Sequence, residues 1–177
     1  MSRHLDKQLV HETYRGRLDR VEELLAKGAA INKLAADGFT PLMRAAYEGH
    51  YELVRLLLQH GADPNATAKD GASALFWACV RGHEQLAELL IAAGGDVNAM
   101  RESDYSVLNA AIDKGSLAFV EALIGKGASR EHRYDGMDMR QYAEWCGRGD
   151  LFPLLRRKGR RRRRGGSDLG RDHGLSK

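Results

Sequence analysis

The stretch from Asp37 to Lys69, DGFTPLMRAAYEGHYELVRLLLQHGADPNATAK, carries the pattern that decides the fold. Thr40 followed by Pro41 predicts a helix start, because a hydroxyl can accept from free backbone N–H groups and proline at the first helical position loses no donor. A short helix over 41–48 follows, with Leu42, Ala45 and Ala46 forming a small-residue face, and Gly49 supplies a left-handed stop. A second helix begins near Tyr51; its Leu53, Val54, Leu57 and Leu58 fall at helical spacing, and His60-Gly61 ends it. From Ala62 to Ala66, and again over Lys69-Asp70-Gly71, turn residues predict an extended, hairpin-like link into whatever comes next.

What comes next is the same pattern, 33 residues on. Gly16, Gly49, Gly82 and Gly115 share one column, and Gly28, Gly61, Gly94 and Gly127 share another. Apolar columns keep the same period: Leu9, Leu42, Leu75, Leu108; Leu24, Leu57, Leu90, Leu123; and Val21, Val54, Ala87, Val120. A fixed period of this length marks stacked supersecondary units. The expected fold class is all-α, a solenoid of helix-turn-helix units joined by β-hairpin-like loops.

Asp37-Gly38-Phe39-Thr40-Pro41-Leu42, Ala45-Ala46, Gly49-His50 and the run from Leu56 to Ala66 closely resemble the ankyrin repeat. The next copy keeps Asp70-Gly71, Ser73, Leu75, Ala78, Gly82-His83 and Gly94 to Ala99, and a fourth keeps Ser106, Leu108, Ala110-Ala111, Gly115 and Gly127-Ala128. Units are expected at about 5–34, 37–69, 70–102, 103–134 and 135–159, the last slipped by one position, within a repeat domain over 1–159. Two departures stand out. The histidine that the resemblance implies after Thr-Pro-Leu is replaced by Met43, Phe76 or Asn109, so an inter-unit Thr–His hydrogen bond is not expected there. Glu12 and Thr13 stand where later units have paired small residues, as befits a capping unit with one face in water.

Composition narrows the function classes. The chain has 177 residues, 43% hydrophobic and 29% charged, enough apolar material for a core. No apolar run approaches the roughly 20 residues needed to span a bilayer, and no secretory leader is expected at the start, which points to the cytosol, or the nucleus in a eukaryote. Residues 156–177 hold ten Lys and Arg against two Asp, whereas the other 155 residues hold 18 basic and 22 acidic side chains, a net charge of −4. The basic balance therefore belongs to the end of the chain, not to the repeats. Cys79 and Cys146 are read as reduced thiols filling core space.

Nothing points to catalysis: no phosphate loop, no zinc motif and no nucleophile elbow occurs. His50 and His83 lie 33 apart in one repeat position, while His11, His60 and His132 sit at element ends, so they are read as structural or solvated. Asn32, Asn65 and Asn98 also recur by register and are read as turn hydrogen-bonders. No enzyme activity, cofactor or metal is expected.

The resemblance implies that hairpin tips and first helices form a concave strip that binds a folded protein, with the chain monomeric. By register the strip holds Asp37 and Phe39, Lys69 and Asp70, and Glu102 and Tyr105 at the hairpins. Along the first helices it holds Arg44, Tyr47, Glu48, Trp77, Arg81, Asp113 and Lys114. Phe39, Tyr47, Trp77 and Tyr105 make an aromatic series inside a charged rim, the arrangement in which interfaces concentrate affinity. Trp77 fits core packing or partner contact equally well, and Arg44, Arg81 and Lys114 also fit a solvated face. Phe39 and Tyr105 are expected to be exposed and without packing duty. The run Arg160, Arg161, Arg162, Arg163 and Arg164 opens a stretch, 160–177, expected to be a disordered tail. Nucleic-acid association, nuclear import or a merely solubilising role are its three readings.

Overall fold

A computed structural model of the chain describes residues 2–156. The arginine run and residues 160–177 lie outside the described residues, as does the end of the expected repeat domain. Ten α-helices occur among the described residues: α1 (Ser2–Tyr14), α2 (Leu18–Ala26), α3 (Pro41–Glu48), α4 (Tyr51–Gln59), α5 (Ala74–Val80), α6 (Glu84–Ala92), α7 (Val107–Lys114), α8 (Leu117–Gly125), α9 (Met139–Trp145) and α10 (Phe152–Leu155). A single 3-10 turn, Gly149–Leu151, precedes α10.

The odd-numbered helices pack side by side in one row, α1 on α3, α3 on α5, α5 on α7 and α7 on α9, and α2, α4 and α6 form a second row behind them. The fold is thus an all-α stack of helix pairs. Apolar side chains between the rows close one continuous core, with Leu9, Leu42, Leu57, Leu75, Leu90, Leu108 and Leu123 almost fully buried. Ala45-Ala46, Ala78 and Ala110-Ala111 are buried without projecting far, which lets adjacent first helices approach closely.

Local chemistry starts each first helix as expected. Thr40, Ser73 and Ser106 accept from the backbone N–H groups of Met43, Phe76 and Asn109, each at 3.2 Å. Asn109, standing where the resemblance implies histidine, turns inward and accepts from both the N–H and the hydroxyl of Ser106. In α9 the cap is Asp138, which confirms the slip of one residue. The links between pairs contain isolated antiparallel bridges, Thr67 with Ser73, Met100 with Ser106 and Tyr134 with Met137. Adjacent links also bond one another, Glu102 N–H donating to the Asp70 carbonyl at 2.9 Å.

The recurring asparagines do more than brace their own turns. Asn65 accepts from Asp96 N–H at 2.8 Å and donates to the Gly94 carbonyl at 2.9 Å, both in the following unit. Asn98 does the same to Ser129 and Gly127, and Asn32 to Asp63 and Gly61. Register alone shows recurrence but not that each amide bridges units, because the partners lie about 30 residues away. Glycine and histidine form a second inter-unit contact. Gly49 adopts φ +81°, and a Cβ there would lie 2.7 Å from the His83 ring of the next pair. Gly16 sits against His50 in the same way, and His50 Nε2 donates to the Tyr14 carbonyl at 3.1 Å. The histidines are therefore packing residues laid over the preceding glycine.

Two stability predictions follow from these contacts. Asn65→Ala removes two inter-unit bonds and should lower the free energy of urea unfolding by about 1–2 kcal/mol. Gly49→Ala should destabilise by about 1–3 kcal/mol through left-handed strain and the histidine clash. In a His83→Ala background only the strain remains, so the cycle should be non-additive; strict additivity would mean that the ring has no part in the effect.

Candidate functional site

The row of first helices and the hairpin links beside it bring side chains 33 residues apart into contact. Phe39 stacks on Trp77 with ring centroids 5.2 Å apart, and Tyr47 meets both edge-on, at 6.0 Å from Phe39 and 5.4 Å from Trp77. Phe76, fully buried, carries the series onward, touching Trp77 at 5.4 Å and Tyr105 at 5.9 Å. Beyond it Tyr105, Tyr134 and Tyr142 form an edge-to-face trio, and Tyr142 lies 5.8 Å from Trp145. Eight rings thus run from α3 to α9. Each edge-to-face or offset pair contributes on the order of 1 kcal/mol beyond its buried area, so the ladder holds its own shape.

Guanidinium groups lie over this ladder. Arg44 stands 4.2 Å above the Phe39 ring, Arg81 4.8 Å above Tyr47 and Arg101 5.8 Å from Trp77. Acidic residues hold two of them in place: Asp37 pairs with Arg44, and Asp70 pairs with Arg101 at 2.6 Å. Glu48 lies 3.7 Å from Arg44. Among the described residues Arg81 and Lys114 form no ion pair, and both are exposed. Lys69 and Glu102 are also exposed, at the hairpin tips. Between the fourth and fifth pairs the face dips into a hollow of about 320 Å³ walled by Trp77, Tyr105 and Tyr134, with Arg101, Asp113 and Lys114 at its edge.

Asp113 is a hub and not a loose rim charge. Its carboxylate accepts from the Tyr105 hydroxyl, from the Tyr142 hydroxyl at 2.8 Å and from the Cys146 thiol at 3.0 Å. Burial, then the hydrogen bond to Asp113, pushes the Tyr105 phenol above its ordinary range. Burial, then the bonds to Tyr105 and Asp113, does the same to Tyr142. The Cys146 thiol rises to about 11, first through burial and then through Asp113. Cys79 is pushed up by burial in the core.

Three expectations need correction. Phe39 and Tyr105 are half-buried and packed against the core, because the neighbouring unit's Trp77 and Asp113 reach each of them. Trp77 is half-buried in the ladder, so it both packs and faces outward. Cys146 is not a core filler, since its thiol lies at the partly exposed edge and donates to Asp113. The sequence reading also missed Phe76, Arg101, Tyr134, Tyr142 and Trp145 as members of this face. The one-residue slip supplied a signal for two of them: Tyr142 is the fourth residue of α9, as Trp77 is of α5, and Trp145 is the seventh, as Tyr47 is of α3. Trp145 is 71% exposed.

Among the described residues there is no group of three His, Cys, Asp or Glu that could hold a metal ion, and no helix long and apolar enough to cross a membrane. A family model described as ankyrin repeats (many copies) matches residues 7–58, 42–91 and 75–124, which together span 7–124. No curated protein matches the chain.

The raised Cys146 pKa yields a kinetic test. A shift from 9.0 to about 11 leaves roughly a hundredfold less thiolate at a given pH below 9. Asp113→Asn keeps an acceptor but removes the charge, so alkylation of Cys146 by iodoacetamide, followed by intact-mass measurement, should accelerate. An unchanged rate would show that burial alone sets the thiol.

Proposed function

The chain belongs to the ankyrin-repeat family, and from that premise we propose that it is a non-enzymatic binding module that grips a folded protein partner along the face of its first helices and hairpins. Ankyrin repeats generally mediate protein–protein interaction and are typically non-enzymatic. The observation that carries the reading onto this face is the aromatic ladder under a layer of guanidinium groups. Rings this numerous exceed what packing between two small helices requires, and the stack of repeats leaves their outward sides uncovered.

On this reading Trp77, Tyr47 and Tyr105 are the anchors, with Phe39 stiffening Trp77 from behind. Arg44, Arg81 and Lys114 form the polar rim on one side, and Asp37, Glu48, Lys69, Asp70 and Glu102 form it on the other. Asp113 acts indirectly, holding Tyr105 and Tyr142 in place. Pinned rings lose little rotamer freedom when a partner docks, which favours tight association for a modest area. Inhibition, scaffolding or neutralisation of the partner all fit this geometry, and the cytoplasm is the compartment we favour.

The test begins with recovery of proteins that co-purify with the full chain from its native cell, with and without nuclease. Affinity for the recovered partner is then measured with variants. Trp77→Ala with Tyr105→Ala should weaken binding by about 2 kcal/mol or more, roughly thirtyfold, while replacement of Arg160 to Arg164 by serine should leave it unchanged. Loss of capture on nuclease treatment, or on the serine replacement alone, would move the function to the arginine run.

A further inference from the structure

The largest hollow among the described residues lies away from the aromatic face, at the C-terminal end of the stack, and measures about 480 Å³. Four arginines from four separate segments line it. Arg130 follows α8, Arg133 precedes the Tyr134–Met137 hairpin, Arg140 is in the first turn of α9 and Arg156 follows α10. Their positions are set by contacts that leave their charge uncompensated. Arg130 Nη1 donates to the carbonyls of Leu154 and Arg156, each at 3.0 Å. Arg133 Nη1 donates to the Gly136 carbonyl at 2.7 Å, and the Arg140 guanidinium lies 4.8 Å over the Phe152 ring. None of the four is ion-paired among the described residues.

Two carboxylates share the hollow, Glu131 and Asp138, and Asp138 is occupied in capping α9 through the N–H groups of Arg140 and Gln141. The formal balance is therefore four positive against two negative charges around one concavity. Guanidinium groups match phosphate oxygens with paired N–H donors, and fixing them beforehand reduces what binding must order. A single carboxylate would satisfy one fork only. Several forks converging on a hollow of this size call for a ligand carrying several phosphate groups close together.

We propose that this hollow is a binding site for a compact oligophosphate, held by Arg133, Arg140 and Arg156, with Arg130 tying the wall together. The site is independent of the protein-binding face and stands or falls separately from it.

The probe is inorganic tripolyphosphate, titrated calorimetrically into the full-length chain. Binding should be measurable at low salt and should weaken as salt rises, since charge carries it. R133A/R140A, which removes two exposed side chains, should weaken it by about tenfold or more. Arg140→Lys keeps the charge and loses the fork, so it should give an intermediate affinity; this milder variant is decisive if the double one fails to fold. Replacement of Arg160 to Arg164 by serine should change the affinity by less than about twofold, since that run is not part of the hollow. Absence of binding, indifference to both variants in the hollow, or loss only on the serine replacement would overturn the proposal. So would a single-stranded DNA oligomer binding at the hollow where tripolyphosphate does not.

Discussion

No helix pair in this chain can bury its own apolar face, and everything else in the structure depends on that shortfall. The helices have seven to nine residues apart from α1 and α10, too short to be stable singly in water. Leu57 and Leu90 on the second helices, with Leu42 and Leu75 on the first, leave water only when the next pair closes over them. Full burial of one such side chain is worth about 1.5–3 kcal/mol, so the stack is a chain of mutual dependence in which interior pairs gain twice and end pairs once. The ends accordingly look different. At the start Thr13 is buried and returns its hydroxyl to the Leu9 carbonyl at 2.7 Å. At the other end Arg148 reaches back to the Ile112 and Gly115 carbonyls at 2.7 and 2.9 Å, closing off α7 where a full helix pair is missing.

Polar contacts between units act on register more than on cohesion. A bridging asparagine contributes about 0.5–1.5 kcal/mol per bond, less than one buried leucine, but it can be made only when neighbouring loops sit at one height. The glycine and histidine pairs impose the same condition on the other side of each unit, because the ring fits only where no Cβ intrudes. Greasy burial alone would tolerate sliding. Asparagine and glycine columns do not, and the aromatic ladder inherits its spacing from them.

That inheritance links fold to function. Once units are held in register, positions 33 residues apart become neighbours at helix-packing distance, and a property repeated along the chain becomes a continuous surface. Phe39, Trp77 and Tyr105 come from three units yet belong to one chain of touching rings. Where the repeat ends, the rule changes. Residues that would face a further unit instead enclose a hollow, and arginines gather there in place of leucines.

The sequence by itself determined the period, the helix starts and stops, the Thr, Ser and glycine caps and the all-α class, since each rests on interactions within about a dozen residues. It also placed Tyr47, Trp77 and Tyr105 on one face, because register is a one-dimensional property. Only the tertiary structure decided that Asn65 bonds to the following unit, that Asp113 gathers two phenols and a thiol, and that Phe39 and Tyr105 are packed and not free. Those outcomes depend on which side chain arrives from the next unit, and a pattern of residue types in one strand of text carries no distance to a partner some 30 positions away.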